Sequence, residues 1–397
     1  MRLSNRTWFQ IAVGVALVLR ILAFAWAIAE PIPNESGEPV SPLLVQPGAD
    51  YNFYEATRQR IFQYDLGSVA ADFTAFFGGA ADGLRMFVSA PLLPVLLQAF
   101  DYGAGNTLPL SVFFLLISGA LVVLWLAWLH RAGVPGPWLL LFAALPNPIW
   151  MTLSISTDLL FALCFAAFYL LYFHGKGRRT FWIAGTVAVV ATMARPNGLV
   201  VPFFMLVHQV LVRVPRGRLL SFGLVIGAGV TAALALYYLP QFLVFLRASM
   251  KIRYFGLTQA DYLNGVIAWL PAWIDRPLSW LALGGAKILY FCGLRPSYGD
   301  VPLFLVLARA APGLVLLPGL VYAFLRGDNA HRLLLAIYLF PVLAGATQDR
   351  YNLAIQPLLF YFGVASLMAL AGSPLVHRLL PAPFASPQPP RTALRSG

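Results

Sequence analysis

Apolar runs at positions 8–28, 108–129, 137–153, 159–173, 181–193, 198–212, 219–239, 301–325, 333–346 and 352–371 divide this chain, with mostly short polar stretches between them. A series of this kind leaves no polar face for water. In a bilayer each run becomes a helix whose backbone is satisfied internally. The expected fold class is therefore all-α, a polytopic transmembrane bundle of about ten spans. Of the 397 residues, 60% are hydrophobic and 11% charged, against roughly 25% charged in an ordinary soluble domain. The first run, interrupted by Arg20, is too long for a signal-peptide core and is read as a retained helix.

Expected organisation is a single membrane domain over 1–372 and a Pro-rich cytoplasmic tail, disordered, over 373–397. Within the domain, a large first extracytoplasmic loop covers 31–106 and a second extracytoplasmic segment covers 241–300. Two apolar stretches would invert every later loop if counted as crossings. Residues 91–100 are read as a helix along the outer face, and 278–292, broken by Gly284, Gly285 and Lys287, as re-entrant.

Orientation follows from the basic residues, which favour the cytoplasmic side in short loops. With the N-terminus cytoplasmic, Arg131, Lys176, Arg178, Arg179, Arg213, Arg216, Arg218, Arg326 and Arg332 fall on that side, the exception being the cations from Arg247 to Arg253 in the long outer segment. The opposite side receives Asp50, Glu55, Asp158, Asp261, Asp275, Asp300 and Asp349, while Asp328 falls on the cytoplasmic side. The net charge of +12 thus reflects loops facing anionic lipid. No basic run interleaved with aromatics suggests nucleic acid.

The first loop concentrates the acids and contains Gly48-Ala49-Asp50-Tyr51-Asn52-Phe53-Tyr54-Glu55. Asp50 at the start of an amphipathic helix is either an N-cap or a general base for an acceptor hydroxyl, with Tyr54 and Glu55 as neighbouring substrate contacts. Asp158, before the run at 159–173, is either a cap or a second carboxylate that assists, orients or binds a divalent cation. Arg195-Pro196-Asn197-Gly198 breaks an otherwise apolar stretch. An intramembrane Arg is costly unless paired, and Asn197 beside it offers a polar ligand contact.

Gln348-Asp349-Arg350-Tyr351 supplies a guanidinium fork suited to phosphate, or to an ion pair with Asp349. Tyr351 is taken as a substrate contact. Lys287 and Arg295 are further phosphate candidates. His130, His174, His208, His331 and His377 show no metal-ligand spacing, and Cys164 and Cys292 read as buried thiols. No nucleotide-binding loop is present.

Several of these segments resemble motifs of the GT-C superfamily of integral-membrane glycosyltransferases, and more narrowly the PIG-V family, related to the second GPI mannosyltransferase. Asp50 matches the acid of that family's first outer loop, and Ser89-Ala90-Pro91-Leu92-Leu93-Pro94 resembles its Pro-Leu-x-Pro segment. Asn147-Pro148, followed by Ser156-Thr157-Asp158-Leu159-Leu160-Phe161-Ala162-Leu163, is similar to its Asn-Pro and Ser/Thr-Glu-Ser-Leu-Phe-Ala-Leu stretch. Ala194-Arg195-Pro196-Asn197-Gly198-Leu199 resembles its Ala-Arg-Ser-Asn-Gly-Leu, and Arg350-Tyr351 before Pro357 its late Arg-Tyr. Departures are Ala49 for the family's Trp, Asp158 for its Glu and Pro196 for its Ser.

The resemblance implies a polyprenyl- or dolichyl-phosphate sugar donor and a glycan, lipid or protein acceptor. It implies inverting hexose transfer, mannose expected, at the outer face of a bacterial inner membrane. Asp50 and Asp158 would be catalytic, with Arg350, Arg195, Lys287 and Arg295 on the donor phosphate. The rival expectations are a transporter or flippase of a lipid-linked sugar, or a non-catalytic subunit of an envelope assembly.

Overall fold

The computed structural model describes residues 3–29, 32–33, 39–40, 58, 91–102, 106–151, 155–213, 252–296, 303–345 and 347–372. Helix dominates among them; the strands are two short antiparallel pairs, β1 (Ile32–Pro33) with β2 (Pro39–Val40) and β3 (Arg253–Tyr254) with β4 (Leu257–Thr258). The protein is a helical membrane protein. Helices α1 (Asn5–Ala29), α3 (Leu108–Arg131) and α6 (Thr157–His174) are long and apolar enough to cross a bilayer, and shorter apolar helices lie at Val200–Leu211, Gly313–Arg326, Asn329–Ala344 and Gln356–Ala371.

Helix α1 buries Ala12, Ala16, Arg20, Phe24 and Ala27, one stripe at helical spacing, against its neighbours. Its other face exposes Val18, Ile21 and Leu22. Apolar residues all round mark a helix set between protein and lipid. Between α1 and α3 lies α2 (Leu92–Ala99), whose eight residues reach only about 12 Å. That is too short to cross, as expected for 91–100.

Two expected spans divide at prolines. The run at 137–153 becomes α4 (Gly136–Ala143) and α5 (Pro146–Trp150), because Pro146 lacks an N–H and drives the preceding residue out of helical geometry. The run at 301–325 likewise becomes α11 (Leu303–Ala310) and α12 (Gly313–Arg326), parted at Ala311-Pro312. The expectation of continuous spans at these two places is corrected.

Helix α7 (Arg178–Ala194) lies against α6 along Ala184, Ala188, Ala191 and Ala194, all fully buried. Small side chains bring the two backbones close where hydrophobic segregation from lipid supplies little drive. Arg195 then turns extended, at φ −159 and ψ 144, as the residue before proline must. A 3-10 turn at Pro196–Leu199 leads into α8 (Val200–Arg213). The anticipated break is therefore present, and a Cβ on Gly198 would collide with the Ala191 carbonyl.

In the second large segment, β3 and β4 are joined by Phe255 and Gly256 at φ 53 and 78, the left-handed pair of a tight hairpin. Thr258 and Asp261 form a reciprocal capping box on α9 (Gln259–Asn264). The expected re-entrant break at Gly284, Gly285 and Lys287 is absent, since α10 (Ala272–Phe291) runs unbroken through all three. Packing overrides the glycine pair's weak propensity. Leu283 and Ala286 join Ile252 and Tyr262 in a satellite core.

The last elements are α13 (Asn329–Ala344), a 3-10 turn at Asp349–Asn352, and α14 (Gln356–Ala371). Helices α12 and α14 cross backbone to backbone. A Cβ at Gly319 would strike the Leu359 carbonyl, and one at Gly363 the Val315 carbonyl. Cys292 is buried and Cys164 half-buried, both as free thiols.

Candidate functional site

Asp158 sits in the first turn of α6, after Ser156 in extended conformation. Arg195 enters from the break after α7, and Arg350 and Tyr351 from the 3-10 turn before α14. These three stretches are remote in sequence and meet at one carboxylate. Arg195 Nη1 pairs with Asp158 Oδ1, and Arg350 Nε stands 3.6 Å from Asp158 Oδ2. Asp158 is 4% exposed, Arg195 12% and Arg350 30%, so the cluster grades from the core towards an open side at Arg350.

Tyr351 forms the floor. The Arg195 guanidinium lies 4.3 Å from its ring centroid and that of Arg350 5.6 Å, both within cation–π range. The Tyr338 hydroxyl donates to the Tyr351 carbonyl at 2.8 Å, tying the turn to α13. Beside them is a recess of about 10 Å³ lined by Phe161, Arg195, Val200, Tyr338 and Tyr351. That admits one water-sized group, a phosphate oxygen for example.

Asp158, Arg195 and Arg350 together carry one net positive charge, in a setting of low dielectric where charge interactions are strong. Asp158 has a guanidinium on each oxygen, which suits holding two cations in place better than taking up a proton. Both oxygens of Asp158 face guanidiniums, and no group of three His, Cys, Asp or Glu capable of ligating a metal occurs among the described residues.

Arg350 is in contact with Asp158, and the expected ion pair with Asp349 falls on a side chain outside the described residues. Lys287 is placed differently from the expectation of a phosphate ligand. Fully buried, it donates from Nζ to the carbonyls of Leu343 at 2.7 Å and Gly345 at 2.6 Å, closing the C-terminus of α13. Arg295 is half-buried beyond the end of α10, next to Leu294, whose carbonyl accepts from the Tyr254 hydroxyl. Asn197 lies in the 3-10 turn, and the Gly198 N–H freed there donates to the Arg195 carbonyl at 2.8 Å. Asp50, Tyr54 and Glu55, and the side chains of Asn197 and Asp349, lie outside the described residues.

Sequence reasoning missed a second polar cluster at the far end of α6. Tyr169 Oη lies 2.9 Å from His331 Nε2, and His331 Nδ1 lies 2.8 Å from Asp328 Oδ1. Tyr172 Oη lies 2.7 Å from His208 Nδ1, and Trp128 Nε1 donates to His174 Nε2 at 2.9 Å. Nothing in the spacing of these histidines announces the cluster, because each comes from a different helix.

No family model matches this chain, and neither a curated protein nor a solved structure matches it.

Proposed function

We propose that this protein is a membrane-embedded glycosyltransferase. It moves a hexose, mannose expected, from a polyprenyl-phosphate donor to an acceptor hydroxyl at the extracytoplasmic face of a bacterial inner membrane, with inversion. The observation that carries the reading is the junction of Asp158, Arg195 and Arg350 over Tyr351. Those residues belong to the segments that resemble the GT-C motifs, and a cationic junction of this kind is what a departing lipid phosphate requires.

In this reading the acceptor oxygen attacks the anomeric carbon as the bond from that carbon to the phosphate oxygen breaks. The polyprenyl phosphate leaves with the electron pair, and Asp50 takes the acceptor proton. Arg350, the most open of the three, meets the phosphate as its charge grows, while Arg195 reinforces the field from behind. Asp158 holds both guanidiniums in place.

The test is a panel of polyprenyl-phosphate mannose, glucose, galactose and arabinose given to purified protein, with product analysis. Transfer of one sugar with inverted stereochemistry is expected, and Asp50→Asn should lower it by about 10²-fold or more. Lipid-linked sugar crossing the membrane in that variant at the wild-type rate, with no transfer by either protein, would replace the reading with a flippase.

A further inference from the structure

Lys287 is not the sole buried cation outside that junction. Arg20, in the middle of α1, is 2% exposed. Its Nε donates to Ser118 Oγ at 3.0 Å and its Nη1 to the Ala16 carbonyl at 2.9 Å. Neither acceptor is charged, and no ion pair joins Arg20 to an acid among the described residues. A guanidinium held in an apolar bundle without a counter-charge is costly, which makes an intramembrane Arg a functional question by default.

Arg20 borders a cavity of about 20 Å³ between α1, α3 and α14, walled also by Ser118, Trp125 and Gln356. Ser118 and Trp125 are two helical turns apart on one face of α3. Trp125 Nε1 and Gln356 Nε2 are buried, on residues 2% and 1% exposed, and have no acceptor among the described residues. The indole N–H can only donate. Gln356 and Pro357 open the sixteen-residue α14, so the positive end of that helix dipole abuts the same space.

What converges here is one full positive charge, two unsatisfied donors and a helix N-terminus. A water would leave the guanidinium charge uncompensated. The cavity slightly exceeds the roughly 10–15 Å³ that one water needs, which fits a monatomic anion. We propose that it binds a single halide-sized anion, chloride, which clamps α1 to α3 and α14. This inference does not rest on glycosyl transfer.

The test uses the full-length protein in an uncharged detergent, melted in chloride and in gluconate at constant ionic strength. Saturating chloride or bromide should raise the midpoint by about 4 °C or more over gluconate, the shift of a ligand that binds only the folded state. Trp125→Phe removes the N–H while keeping most of the packing. It should fold and need about tenfold more chloride for half the effect, as loss of one hydrogen bond to a charged group implies. Arg20→Met should abolish the halide dependence if it folds; Trp125→Phe decides the matter if it does not. Equal midpoints in chloride and gluconate overturn the proposal, as does a half-saturation point unmoved by Trp125→Phe.

Discussion

The two ends of α6 solve the same problem in opposite ways. At its first turn, Asp158 carries full charge into the bundle and is answered by two arginines from distant breaks in the chain. At its last turns, Tyr169, Tyr172 and His174 meet His331, His208 and Trp128 through hydrogen bonds and stacked rings, with His331 4.9 Å from Phe173 and His208 5.5 Å from Phe204. One end is held by buried ions, the other mainly by dipoles and aromatic faces, with the exposed Asp328 carboxylate against His331 at its edge. An ionic junction holds a strong field ready for a charged ligand. A dipolar one joins helices with little field outside itself. The difference argues that chemistry belongs at the Asp158 end and helix registration at the other.

The largest break in that comparison comes from Asp158→Ala. Removing one partner of a buried pair strands the other charge, and here two guanidiniums lose their shared carboxylate. The variant should lose about 3–5 kcal/mol of stability, read as a lowered unfolding midpoint, and sugar transfer should fall to background. A variant that folds with the wild-type midpoint and transfers at the wild-type rate would remove Asp158 from both roles.

The charged end was legible in the sequence because charge is rare in an apolar chain. Arg195 beside Pro196 and Arg350 beside Tyr351 stand out, and the cost of burying them forces partners. Which partner each takes was not legible: Asp158, nearly two hundred residues from Arg350 in the chain, stands within 3.6 Å of its Nε. Lys287 also stood out, but its partners are backbone carbonyls at 343 and 345, which leave no mark in side-chain pattern. The histidine cluster was invisible because its members share no spacing. Continuous apolar runs concealed the breaks at Pro146 and Pro312, although the prolines themselves announced them.

A smaller effect is expected from Tyr169→Phe at the dipolar end. The substitution keeps the ring and its packing and deletes the hydroxyl that meets His331. A cost of about 1 kcal/mol follows from one lost hydrogen bond with a buried partner left over. Transfer should be unchanged, and this sharpens the contrast. If Tyr169→Phe abolished transfer without moving the unfolding midpoint, the division of roles between the two ends would be wrong.

The smallest effect belongs to Asp328, which caps α13 by accepting from the His331 backbone N–H at 2.8 Å and also meets its ring. Burial by itself would raise this carboxyl, but the His331 N–H, the His331 charge and ring, and the Ala330 N–H outweigh it and hold the group below the usual carboxylate range. A lowered folded value means the unfolded chain takes up the proton first as pH falls. The stabilisation is therefore complete above the unfolded value, near 4, and fades as pH drops through the folded one. Asp328→Asn keeps an amide oxygen for the cap, so its deficit at neutral pH should be about 1 kcal/mol or less. The gap between wild type and variant should close on acidification, measured as converging unfolding midpoints. A gap that persists undiminished below the folded value would mean that the side chain acts through packing, and that this end of the bundle owes nothing to ionisation.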